Sequence, residues 1–397
     1  MIRLLVLTHN TKLSGAERAL CRILELFDRG RFHVHVALPD EGPLFDRLRA
    51  MNGTEVHVVK APSALTQLNK GDAAHQLARW LMAPVHLLSL VVRLSRLITR
   101  EGVDLVLCSS MKADFYGAAA AWLARRPCVW YIHDHVDEHH FPGWLRRTVG
   151  LWGRRLPVCV LTNSEASLDA LVRVGIPRDR LRVAYYPPVT GSTPSETNIR
   201  RELDLAANVQ LVTLVGRIAQ QKGQREFVQA AARLIDRFPD VRFLLVGDSL
   251  FGRPDEAYKD ELVRLLDQPG PKGNMRWLGA RSDAVAIQGQ SDVAVMNSLW
   301  PEGFGLVAAE AMWSGVPLIG TALGGTAELL IHDQTGLVVE PGNIDQLAEA
   351  IATLLQHPEQ GRHLAAAARR HVANIQSDAN VRHLEDILHA SCCRATL

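Results

Sequence analysis

Short apolar runs alternate with longer helical segments along this 397-residue chain, and that alternation constrains its fold more than any other feature. Runs rich in Val, Ile and Leu occupy 2–8, 33–38, 55–59, 104–108, 128–132, 158–162 and 182–185. They recur at 210–215, 242–246, 274–278, 292–296, 317–320 and 337–339. Parallel strands need crossovers of a dozen or more residues, usually helical, and the segments between these runs suit them. The pattern predicts βαβ units and parallel sheets covered on both faces. One stretch breaks it: Pro187-Pro188-Val189-Thr190-Gly191-Ser192-Thr193-Pro194-Ser195 has linker composition and no period. The expected domains are therefore about 1–188 and 197–370, with 371–397 a helix that returns to pack on the first. A chain of this length suits two cores. Two doubly wound domains facing each other would leave a cleft at the C-terminal ends of both sheets.

The net charge of +2 argues against a nucleic-acid binder. Cys21, Cys108, Cys128, Cys159, Cys392 and Cys393 form no C-x-x-C pair and read as free thiols of a reducing, cytoplasmic compartment. Residues 1–8 read as a first strand rather than a signal peptide. The most apolar stretch, Trp80 to Ile98, is interrupted by Pro84, His86, Arg93 and Arg96, so it predicts a buried or interfacial helix, not a membrane span.

The chemistry concentrates in the second half. In Pro301–Glu310, Glu302 and Glu310 flank a glycine-bracketed turn, Gly303-Phe304-Gly305-Leu306, that opens a helix. Backbone N–H groups at a helix start favour an anion, and the two carboxylates can accept hydrogen bonds from hydroxyls on either side of it. Arg217 and Lys222 follow the strand 210–215, where their charges would neutralise a diphosphate leaving group. Gly247-Asp248 ends the next strand, and Gly320, Gly324 and Gly325 form a further close-approach loop before Glu328. No Asp-x-Asp stands at a strand end beside Arg217 and Lys222, so the chain's own cations are expected to replace a metal.

In the first half, Ser14-Gly15-Ala16-Glu17 opens a helix after the first strand, as a phosphate-admitting loop or a plain N-cap. His133-Asp134-His135-Val136-Asp137-Glu138-His139-His140 follows strand 128–132. One reading has His133 hydrogen-bonding a substrate; the rival is a zinc hydrolase built on His133, His135, Asp137 and His139. Trp and Arg interleave in 141–147 and 151–155, with Arg79-Trp80, Arg93, Arg96 and Arg100 on a nearby helix. That pairing suits peripheral contact with anionic lipid; the competing reading turns the Trp rings inward.

The ordered set Gly216-Arg217…Lys222-Gly223, Gly247-Asp248, Ser298…Glu302-Gly303-Phe304-Gly305-Leu306…Glu310-Ala311-Met312…Gly315-Val316-Pro317, Gly324-Gly325…Glu328 and Gly336-Leu337-Val338-Val339…Pro341-Gly342 resembles the C-terminal domain of the retaining glycosyltransferases of family four, the group 1 family with the GT-B fold. Gly15-Ala16-Glu17, His133-Asp134 and Asn163-Ser164-Glu165 resemble its first domain more loosely. The family often has two glycines where this chain has Ser14-Gly15.

The resemblance implies two Rossmann-like domains and a UDP- or GDP-sugar donor, with no further cofactor. It implies that Glu310 holds the ribose, Glu302 the donor sugar, and Arg217 and Lys222 the departing diphosphate. Backbone N–H groups of Gly303 to Leu306 would line sugar and phosphate. Gly15 and Ala16 would lie beneath the diphosphate, Gly247 at the strand edge, Leu278 at the base, and His133 against the sugar. The acceptor would be a glycan or lipid-linked glycan of bacterial surface assembly. A nucleotide-sugar epimerase or a sugar phosphorylase of the same fold is the enzymatic alternative.

Overall fold

A computed structural model describes residues 1–60, 73–188, 197–250, 253–268 and 273–394, without the side chains of 73–84, 253–254 and 394. The linker residues 189–195 and the Arg79 and Trp80 side chains lie outside the described set. The chain divides into two units, Met1–Pro187 with Ser377–Leu397, and Pro188–Gln376.

The first unit runs β1 (Ile2–Leu7), α1 (Gly15–Leu26), β2 (Phe32–Leu38), α2 (Pro43–Arg49), β3 (Thr54–Val58), α3 (Ala73–Arg100), β4 (Leu105–Cys108), α4 (Met111–Leu123), β5 (Cys128–Ile132), α5 (Gly143–Gly153), β6 (Cys159–Thr162), α6 (Glu165–Arg173) and β7 (Leu181–Val183). The second continues with α7 (Ile199–Glu202), β8 (Leu211–Val215), α8 (Gln224–Leu234), β9 (Arg242–Val246), α9 (Arg253–Leu266), β10 (Met275–Trp277), α10 (Ala284–Gly289), β11 (Val293–Met296), α11 (Leu306–Ser314), β12 (Leu318–Gly320), β13 (Leu337–Val338), α12 (Ile344–Gln356) and α13 (Pro358–Ile375). The last helix, α14 (Ala379–Arg394), belongs to the first unit.

Each unit is built on one parallel sheet. The orders are β3-β2-β1-β4-β5-β6-β7 and β10-β9-β8-β11-β12-β13. Every strand lies within or beside a span read from the sequence. The central strands are apolar without alternation because helices cover both faces: Leu4 to Leu7 and all of β4 and β5 are buried, whereas β2 and edge strand β3 carry alternating polar residues. The helices bury one stripe each. In α12 it is Leu347, Ala348, Ile351, Ala352, Leu354 and Leu355, and the Asn343 side chain caps the helix by accepting from the Gln346 N–H.

The sequence boundary at 370 cuts α13, which runs to Ile375; the chain crosses back at Ser377. α14 is fastened to the first unit by polar groups. The buried Glu385 carboxylate accepts from the Asp28 N–H at 2.6 Å and faces Arg31 at 3.3 Å, while Asp386 pairs with Arg31 at 2.8 Å. Four of the six cysteines are buried, Cys392 is half-buried and Cys393 exposed. No helix among the described residues is long and apolar enough to cross a membrane.

Because the buried Glu385 carboxylate both accepts from the Asp28 N–H and faces Arg31, its removal costs a charge-assisted bond and an ion pair. Glu385→Ala should destabilise the first unit by about 2 kcal/mol, read from the urea midpoint, with Glu385→Gln costing less because its amide oxygen still accepts.

Candidate active site

In open α/β sheets, ligands bind beyond the carboxyl ends of the strands, where the strand order reverses. That point lies between β8 and β11 in the second unit and between β1 and β4 in the first.

In the second unit the loop after β8 carries Arg217 and Lys222, and the loop after β11 carries Ser298 and Glu302. Lys222 Nζ lies 2.5 Å from Glu302 Oε1, which also accepts from the Ser298 hydroxyl. Arg217 donates to Asp255 at 2.7 Å, in the first turn of α9. Both cations therefore already stand opposite carboxylates. All four side chains retain some exposure, Lys222 the most at 26%.

The Glu302 turn is held by the loop after β12. Glu302 and Gly324 form a parallel bridge, and the Gly325 N–H donates to the Glu302 carbonyl at 2.8 Å. Gly324 has φ +62°, and a Cβ there would strike the Glu302 carbonyl oxygen. Gly305 has φ +93°, and a Cβ would sit 2.6 Å from Thr326 Cγ2. These contacts require glycine and fix the start of α11. Leu306 is its first residue, with Gly303 to Leu306 forming the turn. Phe304 turns its ring into the protein at 2% exposure, so it can offer a ligand only backbone. Glu310 lies a turn further on, at 8% exposure.

Of the other second-unit residues, Gly247 donates its N–H to the Gly279 carbonyl at 2.8 Å. Its neighbour Asp248 pairs with Lys259, whose hydrogen bond holds the Asp248 carboxyl below its ordinary range. Leu278 follows β10 and packs, half-buried, against a small cluster that includes Leu211, Leu244 and Val246. Asp255 is the member that sequence reasoning missed. Pro254-Asp255-Glu256 marks a helix start, but nothing local points 38 positions back to Arg217.

The first unit joins four strand ends. His133 follows β5, with Ser109 after β4, Asn163 after β6 and Tyr186 after β7. Asn163 Nδ2 donates to the Tyr186 hydroxyl at 2.9 Å, and that hydroxyl lies 2.7 Å from His133 Nδ1. Tyr186 therefore donates to Nδ1, which puts the ring proton on Nε2, 2.8 Å from Ser109 Oγ. Burial pushes the His133 pKa down to about 3, so the ring is neutral. Ser109, Asn163 and Tyr186 are scattered in sequence, and only the sheet order unites them.

Gly15 and Ala16 form the first turn of α1. Ser14 occupies the N-cap position without a side-chain cap bond; its hydroxyl donates instead to the buried Glu17 carboxylate, which also accepts from Asn10 Nδ2 at 2.6 Å. In the 133–140 loop, His135 Nδ1 is 3.4 Å from Ser167 Oγ. Asp137 accepts from the His139 and His140 N–H groups and pairs with His140 Nδ1 at 2.7 Å. His133, His135, Asp137 and His139 thus form no metal-type cluster among the described residues. The zinc reading fails because Asp137 holds its own loop and the two buried rings have other partners.

Two Rossmann-like α/β units, each with polar groups at its switch point, define the GT-B class. Residues 195–371 match the model of the group 1 glycosyl transferases, and 13–187 that of glycosyltransferase family 4. The two models together span nearly the whole chain, which belongs to this family. Among curated relatives, a D-inositol 3-phosphate glycosyltransferase of Corynebacterium urealyticum is 30% identical over 57% of this chain and 55% of its own length. A second such enzyme, from Corynebacterium glutamicum, is matched over 51% of its length, so the chain spans about half of these relatives. The Escherichia coli UDP-Gal:alpha-D-GlcNAc-diphosphoundecaprenol alpha-1,3-galactosyltransferase is 26% identical over 85% of this chain and 84% of its own. Among solved structures, Anabaena HepE in complex with UDP and glucose is 27% identical, with a TM-score of 0.83 over 98% of this chain and 100% of that one.

The depressed His133 pKa has a testable sign. Between its ordinary 6.5 and about 3, the unfolded chain holds a proton on this ring that the folded chain lacks. The contribution of His133 to stability is therefore full above about pH 6.5 and falls as the pH drops through that window. Urea denaturation from about pH 7 to 4 should show a shallower loss of stability in His133→Gln, by up to about 1.4 kcal/mol per pH unit.

Proposed function

We propose that this chain is a retaining, metal-independent glycosyltransferase that moves a hexose-type sugar from a UDP-sugar to an acceptor hydroxyl. The observation that carries the reading is the placing of Lys222–Glu302 and Arg217–Asp255 at the strand-order reversal, beside the glycine turn that opens α11. A nucleoside diphosphate brings negative charge to that place, and the start of α11 offers N–H groups to it. Lys222 would then exchange Glu302 for phosphate, leaving the Glu302 carboxylate to accept from sugar hydroxyls. Glu310 would hold the ribose. The solved complexes of HepE with UDP-glucose and with UDP and glucose support uridine over guanosine as the donor base.

In the reaction the bond from the anomeric carbon to the phosphate oxygen breaks and the bond to the acceptor oxygen forms on the same face. The acceptor proton passes to the departing phosphate, so no protein base is required. The chain's share is orientation and charge stabilisation of the leaving group. In the first unit, the backbone of Gly15 and Ala16 at the start of α1 is suited to an anionic diphosphate, and the neutral His133 to hydroxyl-bearing parts of the substrates.

A lipid-linked acceptor fits the first unit's surface. Trp144 is 69% and Trp122 75% exposed, with Arg147, Leu151 and Trp152 exposed on α5 and Arg154 and Arg155 exposed just after it. An outward Trp with Arg neighbours is suited to the headgroup region of anionic lipid on the cytoplasmic face. The E. coli relative carries a diphosphoundecaprenol-linked acceptor in its name, which supports the same class here. Trp144→Ser combined with Arg147→Ser should reduce co-sedimentation with anionic vesicles at low salt; equal sedimentation of both proteins would remove the membrane reading.

For the site, a thermal-shift screen over nucleotide sugars should show stabilisation by UDP-sugars, and acceptor-dependent release of UDP should follow. Lys222→Met and Glu310→Gln should each lower kcat/KM by at least about 100-fold, roughly 2.7 kcal/mol. Near-normal turnover in either variant would refute the site. Conversion of the donor without an acceptor would point to an epimerase.

A further inference from the structure

The first unit carries a second cluster of chemistry-bearing side chains, on the edge of the sheet remote from His133. On β2, His33 and His35 stand two residues apart and so share a face; on β3, Glu55 and His57 do the same. The parallel register places His35 opposite Glu55 and Ala37 opposite His57, which brings all four side chains to one face of two neighbouring strands. His33 Nε2 is 2.9 Å from Glu55 Oε1, His35 Nδ1 is 3.5 Å from Glu55 Oε2, and His35 Nδ1 is 3.1 Å from His57 Nε2. One ligand atom from each of His33, His35 and Glu55 lies within 4.8 Å of the others, the only such trio among the described residues.

These spacings suit a small cation. With metal–ligand bonds of about 2.0–2.1 Å, the edges of a tetrahedral site are about 3.3 Å long, and the His33–Glu55 and His35–Glu55 separations of 2.9 and 3.5 Å straddle that value. The His35 ring is 2% exposed and its Nε2 has no hydrogen-bond partner, so Nδ1 is the atom through which this buried ring meets polar groups. His33 and Glu55 are 37% and 54% exposed, which leaves an entry path. Glu101, at the end of α3, adds negative charge that His35 and His57 sense, while Arg100 pairs with Glu101.

We propose that His33, His35 and Glu55 bind a divalent transition-metal cation, zinc by chemical preference, with water in the fourth position, and that this cation clips edge strand β3 onto β2. Imidazole nitrogens with one carboxylate are a borderline donor set that suits zinc over magnesium or calcium. The register places the ligands from the start to the middle of β2, whereas His133, Ser109 and Asn163 follow the C-terminal ends of their strands. The site is thus structural and stands apart from the proposed transfer reaction.

The test uses the untagged full chain, stripped with a chelator and titrated with Zn²⁺. One zinc per chain should bind with a Kd at or below about 1 µM and raise the Tm. His33→Ala and Glu55→Gln, both at partly exposed positions that keep the fold, should each weaken binding at least about 10-fold and abolish the Tm rise. His139→Ala, in the 133–140 loop, should leave both unchanged. Co²⁺ in place of Zn²⁺ should give the visible absorption of a tetrahedral site. The proposal is overturned if no saturable binding occurs below about 100 µM, if binding is indifferent to His33→Ala and Glu55→Gln, or if it depends on His139.

Discussion

The bridge between Glu302 and Gly324 is the contact on which the second unit's site depends. Parallel strands all end on one edge, so their loops must be held by one another rather than by hairpin partners. Here the loop after β11 is pinned by the loop after β12 through backbone contacts and the Thr321 hydroxyl, which donates to the Ser298 carbonyl at 2.6 Å, with Gly324 and Gly305 where a Cβ could not fit. Backbone pinning fixes the start of α11 without using side chains that a ligand would need. Glu302 thus has its main chain committed to the fold and its carboxylate turned to Lys222 and Ser298.

The ion pairs follow from that placement. Two cations on one loop after β8 stand in half-buried surroundings that would make unpaired charge costly. Asp255 and Glu302 serve as internal counterions, so Arg217 and Lys222 are positioned before a ligand arrives. An anionic ligand then replaces one partner by another, and less reorganisation is needed than for free, mobile side chains. The first unit uses the opposite device. Its strand-end cluster of Ser109, His133, Asn163 and Tyr186 contains no charge, and its hydrogen bonds set the His133 tautomer.

The sequence exposes what depends on period and punctuation. Strand positions, the crossovers and the change of unit near Pro187 are written locally, because burial on both faces demands continuous apolar runs. The loops bearing Arg217, Lys222, Glu302 and the glycines are legible for the same reason, since they must follow strands. Partners are not local. Lys222 meets Glu302 80 positions away and Arg217 meets Asp255 38 positions away. The His-rich loop 133–140 shows the converse error: dense metal-type residues in sequence, yet Asp137 folds back on its own loop and His133 joins strands β4 and β7.

The residues of β2 and β3 illustrate why density is a poor guide to coordination. His33-Val34-His35 and Glu55-Val56-His57 are unremarkable as short segments, and each reads as a half-polar strand. A period of two puts the polar members of each strand on one face, and the parallel register then lays one strand's pair beside the other's. Three donors, His33, His35 and Glu55, converge across some twenty positions because the sheet is regular, whereas four within eight positions at 133–140 diverge because a loop is not. Regular structure with a matched register, rather than proximity in sequence, is what can hold ligand atoms at a metal's spacing.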